Sequence, residues 1–72
     1  MNGREAYLGA KAYLLPKTTM DKVEVNFAGV DILEPGWADE FLTPIKKEWG
    51  DNLILLPSEN SSVKATLKTI NL

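Results

Sequence analysis

The stretch Val23–Trp49, VEVNFAGVDILEPGWADEFLTPIKKEW, decides the architecture because its apolar spacing changes partway along from alternation to a helical repeat. Val23, Val25 and Phe27 alternate with Glu24 and Asn26, the pattern of a strand with one buried face. Gly29 breaks or bends that strand, and Ile32 and Leu33 are placed to continue it. Glu34-Pro35-Gly36 reads as a strand-to-helix turn, with Pro35 suited to the first helical position because no amide hydrogen is needed there. Beyond it, Trp37, Phe41, Ile45 and Trp49 recur every four residues and predict one aromatic and aliphatic stripe, with Asp39, Lys46 and Lys47 turned away. Pro44 removes one backbone hydrogen bond inside that helix. The expectation is a kinked axis, or a split at which Thr43 caps a second short segment. Gly50, Asp51 and Asn52 end the helix.

On the N-terminal side, Asn2 and Glu5 have the spacing of a capping box, and a helix over Gly3–Leu15 follows. Leu8, Ala12 and Leu15 share its apolar face, flanked by Tyr7, Ala10 and Leu14, until Pro16 stops it. Lys17–Asp21 connects it to the strand. On the C-terminal side, Leu53–Leu56 is a short apolar run closed by Pro57, the signature of a strand buried on both faces in a parallel sheet. Ser58 or Asn60 caps a last helix with Val63, Leu67 and Ile70 along one face. The predicted fold class is α/β, in the order helix, strand, helix, strand, helix, with a right-handed crossover through the central helix. Two parallel strands leave both sheet edges open, so a strand from another copy or a partner is expected beside one of them; a third strand over Lys17–Asp21 is the alternative.

At 72 residues there is room for one domain with one small core. The apolar share of 44% and charged share of 25% are those of a globular chain rather than a disordered one. A net charge of −2, from 8 basic and 10 acidic residues, supplies no basic face for nucleic acid. The absence of cysteine excludes a disulfide framework and thiolate metal sites and favours the cytoplasm. Glu5 and Lys11 interrupt the first apolar run, so neither a signal peptide nor a membrane span is expected there.

The run Val23-Glu24-Val25-Asn26-Phe27-Ala28-Gly29-Val30, followed by Trp37-Ala38-Asp39-Glu40-Phe41, resembles the STAS-like domain family of unknown function. That family pairs a strand ending Asp-Phe-x-Gly-Val with a helix opening Phe-Ala-Asp-Glu. Arg4-Glu5-Ala6 resembles its N-terminal helix and Asn60 with Val63 its Asn-x-x-Val close, so the likeness extends from about Arg4 to Ile70. Asn26, Trp37 and Pro44 depart from the pattern, and the resemblance leads to the expectation of a domain with the family's N-terminal strands absent. The wider STAS group, of sulfate transporters and anti-sigma factor antagonists, places a phosphorylatable Ser at the turn before the corresponding helix. Here Glu34, Pro35 and Gly36 occupy that motif, so the resemblance implies binding without the serine phosphoswitch. It further implies a non-catalytic regulatory or protein-interaction module, with no cofactor, engaging a signalling partner such as a histidine-kinase-like ATPase. Glu34, Gly36, Trp37, Asp39 and Glu40 form the expected surface: Glu34 and Asp39 supply charge and Trp37 the apolar anchor.

Two other readings use the same residues. Asp39 and Glu40, with oxygens from Glu34 or Asp31, could serve a small ligand, a hard cation or acid-base chemistry. Carboxylates at a helix start are favoured by its dipole without any such role, and adjacent positions diverge by about 100° around the axis. The other reading is an assembly element whose open strands pair with another chain, which in the self-pairing version gives a homo-oligomer. Ser58, Ser61 and Ser62 read as capping and loop residues.

Overall fold

The computed structural model describes residues 2–72. Its elements are α1 (Gly3–Tyr13), β1 (Val23–Val25), α2 (Pro35–Trp49), a 3-10 turn (Gly50–Asn52), β2 (Leu53–Leu55) and α3 (Ser61–Ile70). The chain is thus a small α/β fold in the expected order. β1 and β2 pair in parallel, with Val23 opposite Leu53, Glu24 opposite Ile54 and Val25 opposite Leu55. Because parallel neighbours need a long crossover, α2 lies between them in sequence and packs on the face that carries Val23 and Leu53.

α1 begins where Asn2 Oδ1 accepts from the Glu5 amide at 2.8 Å. It ends at Tyr13 rather than Leu15: the amides of Leu14 and Leu15 both donate to the Ala10 carbonyl, widening the last turn ahead of Pro16. The buried face is Gly3, Tyr7 and Ala10, not Leu8, Ala12 and Leu15. Leu8 is 50% exposed, Ala12 is exposed, and only Leu15 of the expected trio packs on the core. Two contacts with α2 set this phase. A Cβ on Gly3 would fall 2.1 Å from the Trp37 carbonyl oxygen, so only glycine lets the helices approach so closely. Further along α1, the Tyr7 hydroxyl donates to Glu48, which Lys11 also reaches.

α2 runs unbroken through Pro44, and Thr43 caps no second segment; its hydroxyl donates to Asp39 Oδ1 at 2.6 Å instead. The carbonyl left without a proline amide belongs to Glu40, on the exposed flank where water can replace the bond. The buried residues are Ala38, Leu42, Ile45 and Trp49, whereas Trp37 and Phe41 of the expected stripe are half-buried. The apolar face is wider than one stripe because α2 is clasped from two sides. Tyr7, Val23, Ile45, Trp49 and Leu53 form a cluster beneath α1, while Phe27, Leu33, Ala38, Leu42 and Val63 form another beneath α3. Val25, Phe41 and Leu55 pack against both.

Ile32 and Leu33 do not continue β1, which ends at Val25; Gly29 lies in the following turn with φ +84. Side chains of α3 take the place of a strand partner for this loop. The Leu33 amide donates to Ser62 Oγ at 3.0 Å and its carbonyl accepts from the Thr66 hydroxyl at 2.5 Å. Asn60 donates from Nδ2 to the carbonyls of Val30 and Asp31, at 2.8 and 2.9 Å, while its Oδ1 caps α3 by accepting from the Val63 amide. Val63 and Thr66 are the buried residues of α3, with Leu67 and Ile70 half-buried beside them.

Lys17–Asp21 forms bends and a turn, so the sheet remains two-stranded. β2 is not enclosed on both faces: Leu53 is buried, but Ile54 and Leu55 are only partly so. Glu24 and Ile54 point to the face opposite the helices and belong to neither core cluster.

Candidate functional site at the start of α2

The start of α2 is built around Glu34, the residue immediately before the helix. Its Oε1 accepts from the Gly36 amide at 3.0 Å and its Oε2 from the Trp37 amide at 2.8 Å, so one carboxylate satisfies two of the three free donors at this helix start. Pro35 follows at the first helical position and has no amide to satisfy. Gly36 sits so close to this cap that a Cβ on it would lie 3.1 Å from Glu34 Oε1. Trp37 stacks on Phe41 with ring centroids 5.0 Å apart and 24° between planes, which fixes the half-buried indole. Asp39 and Glu40 are exposed on the outer side of the same turns.

These five residues meet in one place. Glu34, Gly36, Trp37, Asp39 and Glu40, joined by Asn2 of the α1 cap, line an open concavity of about 530 Å³. A second cleft of about 400 Å³ adjoins it, sharing Glu34 and Trp37 and adding Val30, Ile32 and Leu33. Ile32 is 79% exposed at the rim of this apolar cleft. The site therefore has an acidic half and an apolar half with Trp37 at the seam. The apolar half was hidden in the sequence because Ile32 and Leu33 looked like strand residues. The signal for it was two consecutive apolar side chains just before a helix, of which a half-buried segment can bury only one.

The carboxylates do not converge. Glu34 is occupied by the cap, Asp39 accepts from Thr43, and among the described residues no group of three His, Cys, Asp or Glu side chains could hold a metal ion. Asp31 is held through its backbone by Asn60.

The groups whose protonation the fold perturbs lie at the opposite end of α2. Glu48 is held below the usual carboxylate range by the hydrogen bond from Lys11 and then by that from Tyr7. Lys11 is raised by the same bond to Glu48 and by Tyr7, and the Tyr7 phenol is raised by its bond to Glu48 and by burial. This trio ties α1 to α2 and lies away from the concavity.

Comparison of the chain with protein-family models, with curated proteins and with solved structures finds no match. No helix among the described residues is long and apolar enough to cross a membrane.

Proposed function

We propose that this chain is a non-catalytic regulatory or protein-interaction module of STAS-like type, acting in the cytoplasm and binding a signalling protein through the turn and first turns of α2. The observation that carries this reading is the shared concavity of Glu34, Gly36, Trp37, Asp39 and Glu40, continuous through Trp37 with an apolar cleft. An aromatic anchor beside desolvatable apolar surface, rimmed by charge, is the composition of an interaction hot spot. The partner class implied by the family resemblance is a histidine-kinase-like ATPase. Glu34 keeps a negative charge at the turn permanently, and neither Pro35 nor Gly36 offers a hydroxyl for phosphorylation. Binding would accordingly be constitutive at this turn.

The test is affinity capture from the source cell with the tagged chain and with a Trp37→Ala, Glu40→Lys double variant. Both substitutions spare the Glu34 cap, and circular dichroism checks that the variant is folded. A regulator or kinase-like ATPase identified by mass spectrometry with the wild type, and lost with the variant, is the expected result. Retention of the same partners by both proteins overturns the proposed surface.

A further inference from the structure

A groove of about 410 Å³ runs along the edge of β1 that β2 leaves free, between the end of α1 and the start of the strand. Its apolar walls come from Ala10, Leu14 and Leu15 of the α1 end, from Val25, and from Phe41 and Ile45 of α2. Leu14 is 83% exposed there, and neighbouring Tyr13 is 88% exposed. In a parallel ladder the N–H and C=O of one residue point to the same side, and successive residues alternate sides. Since the Val25 carbonyl reaches the Leu56 amide of the β2 chain, both backbone groups of Glu24 point toward the groove. Lys22 and Glu24, two positions apart, present exposed side chains on the face away from the helices, and neither takes part in an ion pair among the described residues.

We infer that this edge accepts one extended segment of a partner polypeptide as a third strand, antiparallel to β1. Alternate residues of the segment are apolar and enter the groove against α1 and α2. The intervening residues carry a Lys opposite Glu24 and a Glu opposite Lys22, in the order Lys-x-Glu. Backbone bonds to Glu24 supply affinity, and the unpaired charges set direction and register. A second copy of the chain is a poor occupant. Pairing two β1 edges about a two-fold axis would bring both α1 helices onto the same sheet face, where α1 and α2 of one copy already stand. This surface is independent of the start of α2, since the two concavities share no lining residue.

The probe is a capped heptapeptide Ser-Val-Lys-Val-Glu-Val-Ser, titrated calorimetrically into the full chain beside a control with Lys and Glu exchanged. Saturable binding is expected, with the exchanged peptide about tenfold weaker. Two variants follow. Glu24→Pro removes the edge amide and the Glu24 carboxylate together, a change proline tolerates on an open edge, and is expected to weaken binding about tenfold or more. Lys22→Glu with Glu24→Lys, both exposed and harmless to the core, is expected to reverse the preference between the two peptides. No saturation at millimolar peptide, equal binding of the two peptides, or a charge-reversed chain with unchanged preference would each overturn the inference. Should Glu24→Pro fail to fold, the charge-reversed chain decides alone. A wild-type dimer in light scattering that the charge-reversed or proline variant abolishes assigns the edge to self-pairing and also overturns it.

Discussion

Two glycines in α1 should respond to the same substitution with opposite signs. Gly9→Ala adds a methyl where no atom lies within 4 Å, on an exposed position inside the helix. Removing glycine's extra unfolded-state freedom there is expected to stabilise by about 0.5–1 kcal/mol. Gly3→Ala gains the same local preference, but its Cβ would lie 2.1 Å from the Trp37 carbonyl oxygen and 2.8 Å from Glu40 Cβ. The first neighbour is backbone and cannot rotate aside, so α1 must shift away from α2. That movement loosens Tyr7 and Ala10, the other buried residues of the helix. Overpacking of this kind costs roughly 1–3 kcal/mol, which exceeds the propensity gain. At mid-range the net loss is about 1–1.5 kcal/mol, which for a domain of this size lowers the melting temperature by roughly 4–12 °C, against a rise of a few degrees for Gly9→Ala. Thermal melts followed by circular dichroism measure both. If Gly3→Ala melts at or above wild type, α1 does not touch α2 through Gly3, and the account of the helix phase fails.

The clamp between α3 and the loop makes a second prediction. Thr66→Val keeps the buried shape but leaves the Leu33 carbonyl without its donor, costing about 1–3 kcal/mol in a urea titration; a change under about 0.5 kcal/mol would mean that water reaches that carbonyl. Asn60→Ala removes the α3 cap together with both bonds to Val30 and Asp31, and should cost more than the typical ~1 kcal/mol of a lost cap, with amide exchange rising around Leu33. A loss confined to α3, with the loop unaffected, would contradict the clamp. The third concerns pH. Glu48 has a depressed folded pKa, so its contribution is present above the ordinary value of 4.5 and is lost as pH falls through the lower folded value. Lys11 and Tyr7 are raised, so theirs is full below the ordinary 10.5 and 10.0 and is lost as pH rises through the folded values. The melting temperature of Glu48→Gln should therefore fall less than that of wild type at both extremes; parallel curves across the whole range would show that the trio contributes nothing.

Much of this fold was legible because local signals agreed with it. Pro35 after a polar residue marked the start of α2, Ser58 or Asn60 marked α3, with Asn60 proving to be the cap, and the change of apolar period placed a helix after the first strand. What failed was the assignment of faces. Leu8 and Leu14 are more hydrophobic than Gly3 or Ala10, yet α1 buries these two small residues beside Tyr7. Helix packing at close range selects for the absence of a side chain, which a hydrophobicity pattern scores as nothing. Leu42 and Ala38 were missed for a related reason: a stripe describes contact with one neighbour, and α2 has neighbours on two sides. The loop was misread because Leu33 has the apolar character of a strand residue, whereas its backbone is satisfied by Ser62 and Thr66, almost thirty positions or more further on. At the candidate site, all five expected residues line one concavity, while Val30 and Ile32 entered only through the fold.

Glu34 holds two roles that constrain each other. As the cap of α2 it directs both carboxylate oxygens at the amides of Gly36 and Trp37, so its charge is fixed in place and partly spent on the helix dipole. A partner's cation would meet a preorganised carboxylate that needs no ordering on binding, but one whose remaining lone pairs face outward only. Asp39 is similarly oriented by Thr43, whereas the exposed Glu40 side chain makes no hydrogen bond among the described residues. Substitution of Glu34 would therefore damage the helix start and the surface together, and its effect on binding could not be separated from its effect on folding. Glu40 separates them, since it carries charge with no side-chain hydrogen bond among the described residues; Trp37 carries apolar area beside an open cleft but also stacks on Phe41 and packs on the second core cluster, so its binding effect is read against its effect on stability. If the start of α2 is an interface, binding energy should concentrate on Trp37 and electrostatic steering on Glu40, with Glu34 contributing chiefly by holding the turn in shape.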